Sequence, residues 1–290
     1  MIDYDRTAWW RVVFSFGGTV LPRVLGRVGC LTLWSLGLCL LDDSVLRLYG
    51  CELPSLDQLG HVVLGTALSL LIVFRTNSAY QRFWEARSHW GGIVNASRNL
   101  ARLAAAGAPP ADDVGRLLTA FALCLKQTLR GSKDFAELRH LVAGRVYERL
   151  GTAADPPGVL ARALSDWVGR ALAAGRLNPQ QATQMDALVC ALVDQQGGCE
   201  KIRRTPLPFV YATLIKQVVL LYLVSLPFVL VAKMGYAAPL VVAAVSFGLF
   251  GIEDAGVEIE NPFEAEPNSL PLDAICETIT RNVSEAAGDK

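Results

Sequence analysis

The sequence predicts an all-α, multi-pass membrane protein with four membrane helices and a helical cytoplasmic region. Three observations carry that prediction. Apolar residues make up 52% of the 290 and charged residues only 19%, where about 25% charged is usual in a soluble domain; mean hydropathy is +0.34. The apolar residues gather into four runs with asymmetric flanking charge. No strand-like alternation of useful length occurs, and no internal repeat. High apolar content at zero net charge also excludes a disordered chain or one that coats nucleic acid.

The elements follow in order. No cleavable signal is predicted: Asp3, Asp5, Trp9 and Trp10 precede the first apolar run, and no A-x-A site follows. Trp9 and Trp10 suit an interfacial aromatic belt. The four runs are residues 28–41, 59–74, 207–232 (interrupted by Lys216 and Gln217) and 234–252. Only the last has the ~18 uncharged residues of an unambiguous span. The first two are short enough to be buried core helices, and are read as spans because they form a set with suitable flanks.

Those flanks set an orientation. Arg6, Arg11, Arg23 and Arg27 precede the first run, Arg75, Arg82 and Arg87 follow the second, and Lys201, Arg203 and Arg204 precede the third. The loop after the first run carries Asp42, Asp43, Glu52 and Asp57 against Arg47 alone. Positive flanks stay inside. Both termini and residues 75–206 are therefore expected in the cytoplasm. The organisation is 1–75 with the first two spans, 76–206 as a cytoplasmic helical region, 207–252 with the last two, and 253–290 as an acidic tail.

The middle region reads as helix. Residues 78–103 are proline-free and mixed in charge, with a break at 107–110 and a start at Asp112 or Asp113. Asp155-Pro156-Pro157-Gly158 is a second break, and Asn178-Pro179 starts a helix expected to reach Gly197-Gly198. Residues 75–206 hold 18 Lys/Arg against 11 Asp/Glu, while 253–290 hold 2 against 10. Such blocks attract each other or a neighbouring copy, or form two separately solvated surfaces.

Seven cysteines without a CxxC, and three scattered histidines, suggest reduced thiols packed as small apolar groups rather than a metal site. A membrane enzyme would need convergent titratable groups, a phosphate loop or a nucleophile elbow, and none is present. No cofactor is expected.

Three segments make the chain resemble the bestrophin family of ion channels: FGGTVL at 16–21, FRTNSAYQRFWEARSHWG at 74–91, and IENPF at 259–263 followed by LPLDAI at 270–275. GCEKI at 198–202 with TPLP at 205–208 resembles its bacterial branch. The resemblance spans nearly the whole chain. It implies a homopentamer with a central pore whose partners are membrane lipid and permeant monovalent ions, chloride and related anions first. A sodium or potassium channel of the same fold is the alternative, and a non-conducting membrane scaffold is a reading of a different class.

Residue by residue, the resemblance places a hydrophobic neck at Thr66, Leu70 and Phe74 within the pore helix 59–74. Residues i, i+4 and i+8 share a helix face, although periodicity does not select that face over Val63, Leu64, Leu68, Leu71 and Ile72. Thr66 departs from the larger apolar residue usual there. Counting back from Gly198 sets a cytoplasmic aperture near Gln180, which is alternatively a first-turn residue after Pro179. Arg75 and Arg82 would form a positive inner mouth, or else flank the span and pair, Arg82 with Glu85 or Asp254 for instance. Asn261, Pro262 and Phe263 turn the chain into a clasp along the cytoplasmic helices, with Phe263 as its anchor and a new helix at Ser269–Pro271 carrying Asp273 in its first turn. Animal members carry an acidic calcium clasp after this point. Glu264, Glu266 and Asn268 supply too few oxygens for an ion that takes six to eight, so no metal is expected.

Overall fold

The computed structural model describes residues 5, 7–46, 49–51, 53–107 and 112–287. Asp3, Arg6, Arg47, Glu52 and the 108–110 part of the expected break lie outside them. Ten α-helices and three short helical turns account for the regular structure among the described residues: α1 Trp9–Val13, α2 Leu21–Leu41, α3 Gln58–Gly107, α4 Asp112–Leu129, α5 Gly144–Leu150, α6 Pro156–Ala173, α7 Pro179–Arg204, α8 Phe209–Met234, α9 Ala238–Glu260 and α10 Leu272–Ala287. Among the described residues, three stretches are long and apolar enough to cross a membrane: Leu21–Ser44, Gln58–Gly107 and Phe209–Glu260. The last holds both α8 and α9, joined by a turn at Gly235–Ala237. Gly235 has φ of 51°, a left-handed conformation that glycine adopts without steric cost.

The chain forms two compact units, one of residues 2–81 with Pro206–Glu260, the other of Arg82–Thr205 with Asn261–Lys290. In the first, Leu31, Leu68, Ile72, Ile215, Val219, Leu223, Leu226 and Val242 form a buried cluster from α2, α3, α8 and α9. In the second, a larger core runs through α3, α4, α6, α7 and α10 around Trp90, Phe121, Leu125, Leu164 and Met185. Both cores follow the helix period. On α10 the buried residues Leu272, Ile275, Cys276, Ile279 and Val283 recur at intervals of three and four, the spacing of one apolar face.

Several element boundaries differ from expectation. α3 runs unbroken for 50 residues, because no proline or glycine interrupts residues 74–78. α7 passes through Gly197-Gly198 to Arg204 instead of ending there. α8 continues through Lys216, and α9 extends beyond residue 252 to Glu260. The starts are closer to expectation. Asp155 caps α6 by accepting from the Gly158 N–H at 3.0 Å, and Asn178 with Gln181 forms a reciprocal capping box on α7.

Candidate pore face and its charged neighbours

The first 22 residues of α3 place two faces in contrast within the first unit. Leu68, Ile72, Arg75 and Ala79 are buried at 4% exposure or less. Residues two apart on a helix point about 200° apart, so Thr66, Leu70 and Phe74 lie opposite that row. Thr66 is exposed, and Leu70 and Phe74 are 56% and 54% exposed in the single chain. Val63 and Val73 are exposed beside them, so the bare face is broader than one row. The Thr66 hydroxyl donates to the Val62 carbonyl at 2.9 Å, so its proton is used within the helix and its oxygen can still accept.

Behind this face sits a group of ion pairs that the sequence reading did not assemble. Arg75 is buried, and its Nη1 donates to Glu253 Oε1 at 2.6 Å. Lys216 of α8 donates to the same oxygen at 2.7 Å. Glu260 lies 3.7 Å from Arg75 Nη2 and accepts from the Leu207 N–H at 3.2 Å. From α2, Arg23 reaches Glu258 at 3.0 Å and Arg27 reaches Asp254 at 3.3 Å. The positive charge expected at Arg75 is thus neutralised inside the unit.

This group also revises the acidic tail. Glu253, Asp254, Glu258 and Glu260 belong to α9 and face basic residues of α2, α3 and α8. Residues 261–290 keep six acids against two bases, about half the excess first read. The signal was present as four acids packed into eight residues directly after the last apolar run.

In the second unit, Arg82 donates to the Ile202 carbonyl at 2.7 Å and to the Thr205 carbonyl. It satisfies carbonyls at the end of α7, a common role for a basic side chain at a helix C-terminus. Gln180 is exposed in the first turn of α7. Phe263 is 4% exposed within the large core, and the Leu270 N–H donates to the Pro262 carbonyl at 2.9 Å, closing the loop that carries it. Asp273 accepts from Arg130 at 2.8 Å and Lys126 at 3.1 Å. The Arg130 hydrogen bond, supported by Lys126 against the penalty of burial, holds the Asp273 carboxyl below its ordinary value. Burial works against the Lys126 charge, but Asp273 and Glu137 outweigh it and raise its pKa.

One crossing explains the run through Gly198. A Cβ added there would overlap the imidazole of His89, whose Nδ1 lies 2.8 Å from Gln195 Oε1. A Cβ on Gly92 would stand 2.7 Å from Gln195. Both glycines therefore allow α3 and α7 to approach closely, a packing role that a helix-stop reading of Gly197-Gly198 misses. Burial pushes the Cys124, Cys199 and Cys276 thiols up to about 12, which keeps them protonated at neutral pH. Among the described residues, no group of three or more His, Cys, Asp or Glu is arranged to hold a metal.

A family model described as bacterial/fungal bestrophin protein matches residues 1–285. The chain belongs to the bestrophin family. This bestrophin is 41% identical over 286 residues to a voltage-dependent anion channel-forming protein of Nostoc sp., covering 96% of this chain and 91% of that one. It is 37% identical to a protein of the same description from Synechocystis sp., with the same coverage. A crystal structure of a bacterial bestrophin homolog from Klebsiella pneumoniae matches with TM-score 0.84 at 29% identity, covering 92% of this bestrophin and 99% of that chain.

Proposed function

We propose that this bestrophin is a homopentameric channel that passes monovalent anions, chloride first, through a hydrophobic neck. The observation that carries the reading is the bare row of Thr66, Leu70 and Phe74 on α3, in a chain whose relatives are described as anion channel-forming proteins. Set around a five-fold axis, this row becomes a ring of five Phe and five Leu that offers an ion no replacement for its hydration, so small changes in radius gate conduction by dewetting. Thr66 wets the upper neck through its free lone pairs. Four spans, α2, the first part of α3, α8 and α9, set both termini on the cytoplasmic side of a bacterial inner membrane, following the positive flanks.

Gln180 forms a polar ring at the cytoplasmic exit. Arg75 acts as a fixed strut through Glu253 rather than as an open charge, and Arg82 holds the end of α7. Asn261, Pro262 and Phe263 tie the tail to the cytoplasmic helices.

Three measurements test this. Protein in planar bilayers under asymmetric potassium chloride is expected to reverse near the chloride potential; reversal near the potassium potential makes it a cation channel, and no current makes it a scaffold. Native mass spectrometry is expected to give five copies of the 31.4 kDa chain. Phe74→Ala is expected to raise current severalfold with the oligomer intact. Unchanged current with a broken oligomer would mark Phe74 as a packing residue and overturn the neck.

A further inference from the structure

In the first unit, α2, α8 and α9 enclose a groove of about 490 Å³. Its wall is mostly apolar, from Leu31, Val219, Leu220 and Phe250, and its polar lining is Arg27, Lys216 and the carboxylate of Glu253, which Lys216 pairs. The charges there are arranged by depth. The acids lie inside, with Glu253 at 4% and Asp254 at 12% side-chain exposure. Their basic partners lie outside, Lys216 at 53% and Arg27 at 47%. The outward surface of a balanced ion-pair group is therefore cationic.

The three helices share one gradient. Arg27 directly precedes the first apolar run, and Leu31 follows one turn later. Lys216 precedes Val219 and Leu220 by one turn, and Phe250 precedes Glu253 by three residues on a helix that returns. Cations thus stand at one level and apolar wall at the next, as headgroup and acyl chain do in a lipid. Arg27 also covers the Phe250 ring, its Cζ 5.7 Å from the centroid, which keeps the guanidinium at the groove mouth.

We propose that this groove binds an anionic phospholipid, with the phosphodiester between Lys216 and Arg27 and an acyl chain along Leu31, Val219, Leu220 and Phe250. Basic pockets between membrane helices on the cytoplasmic side suit such headgroups. Cations that only extend toward the interface to stay hydrated would show no headgroup preference, and this separates the two cases. The site rests on the membrane reading of α2, α8 and α9 but not on conduction. Protein that retains the lipid and passes no current would sink the channel alone.

The test is native mass spectrometry of delipidated protein titrated with dioleoyl phosphatidylglycerol, with dioleoyl phosphatidylcholine and glycerol phosphate as separate arms. Two surface cations predict a preference for phosphatidylglycerol over phosphatidylcholine of roughly tenfold or more. Glycerol phosphate is expected not to compete, because it lacks the chain. Lys216→Gln and Leu220→Trp are expected to lose most of the preference and the occupancy respectively, and Lys216→Arg to retain both. Leu220→Trp keeps every charge in place, so it stands even where Lys216→Gln disturbs the ion pairs. Equal retention of the two lipids, full competition by glycerol phosphate, or unchanged binding in folded Leu220→Trp would each overturn the site.

Discussion

Glu253→Ala puts a magnitude on the buried ion pairs. The substitution leaves the Arg75 guanidinium 4% exposed without the carboxylate now 2.6 Å away. Removing one partner of a buried pair costs about 3–5 kcal/mol, because the remaining charge stays desolvated. Glu260, 3.7 Å from Nη2, keeps part of the compensation, so the lower end, about 3 kcal/mol, applies. At about 2–4 °C per kcal/mol for a domain of this size, the melting temperature should fall by roughly 6–12 °C. Lys216→Ala removes the other cation on the same oxygen, but that cation is 53% exposed, and an exposed pair is worth about 0–1 kcal/mol. Intrinsic tryptophan fluorescence during heating, with size-exclusion profiles for the oligomer, reads both. A Glu253→Ala shift no larger than that of Lys216→Ala would refute the reasoning, since burial would then not distinguish the two.

Two further outcomes are expected. Gly198→Ala forces a methyl into the His89 ring and should destabilise by about 1–3 kcal/mol, as overpacking does; His89→Ala in the same chain should recover most of the loss, and a wild-type melting temperature for Gly198→Ala alone would contradict the close crossing. Asp273 has its pKa depressed in the folded state, so its pairs with Arg130 and Lys126 contribute fully above its ordinary value of 3.8 and are lost as pH falls through the lower folded value. Asp273→Asn should accordingly be less stable at neutral pH and lose less on acidification, which a melting series down to about pH 3 would read; parallel curves for the two proteins would remove Asp273 as the group responsible.

The sequence by itself determined the helical class, the apolar runs and most helix starts, since these depend on local chemistry. Asn178-Pro179, Asp155-Pro156 and the Pro271–Asp273 turn each carry their cap or first-turn signal within four residues. The resemblance carried by the 74–91 and 259–275 segments supplied the family and a list of candidate positions. What tertiary structure decided was facing. Leu64, Leu68, Leu70 and Phe74 are equally apolar, and only packing against α2, α8 and α9 buries Leu68 and leaves Leu70 and Phe74 bare. It also decided where charge goes. Glu253 reads in sequence as the start of an acidic tail, because its partners Arg75 and Lys216 are 178 and 37 residues away. Gly198 reads as a helix stop for the same reason: its meaning lies in the His89 ring, 109 residues earlier. Local signals register a residue's own backbone preference, whereas burial and ion pairing depend on neighbours that only folding brings together.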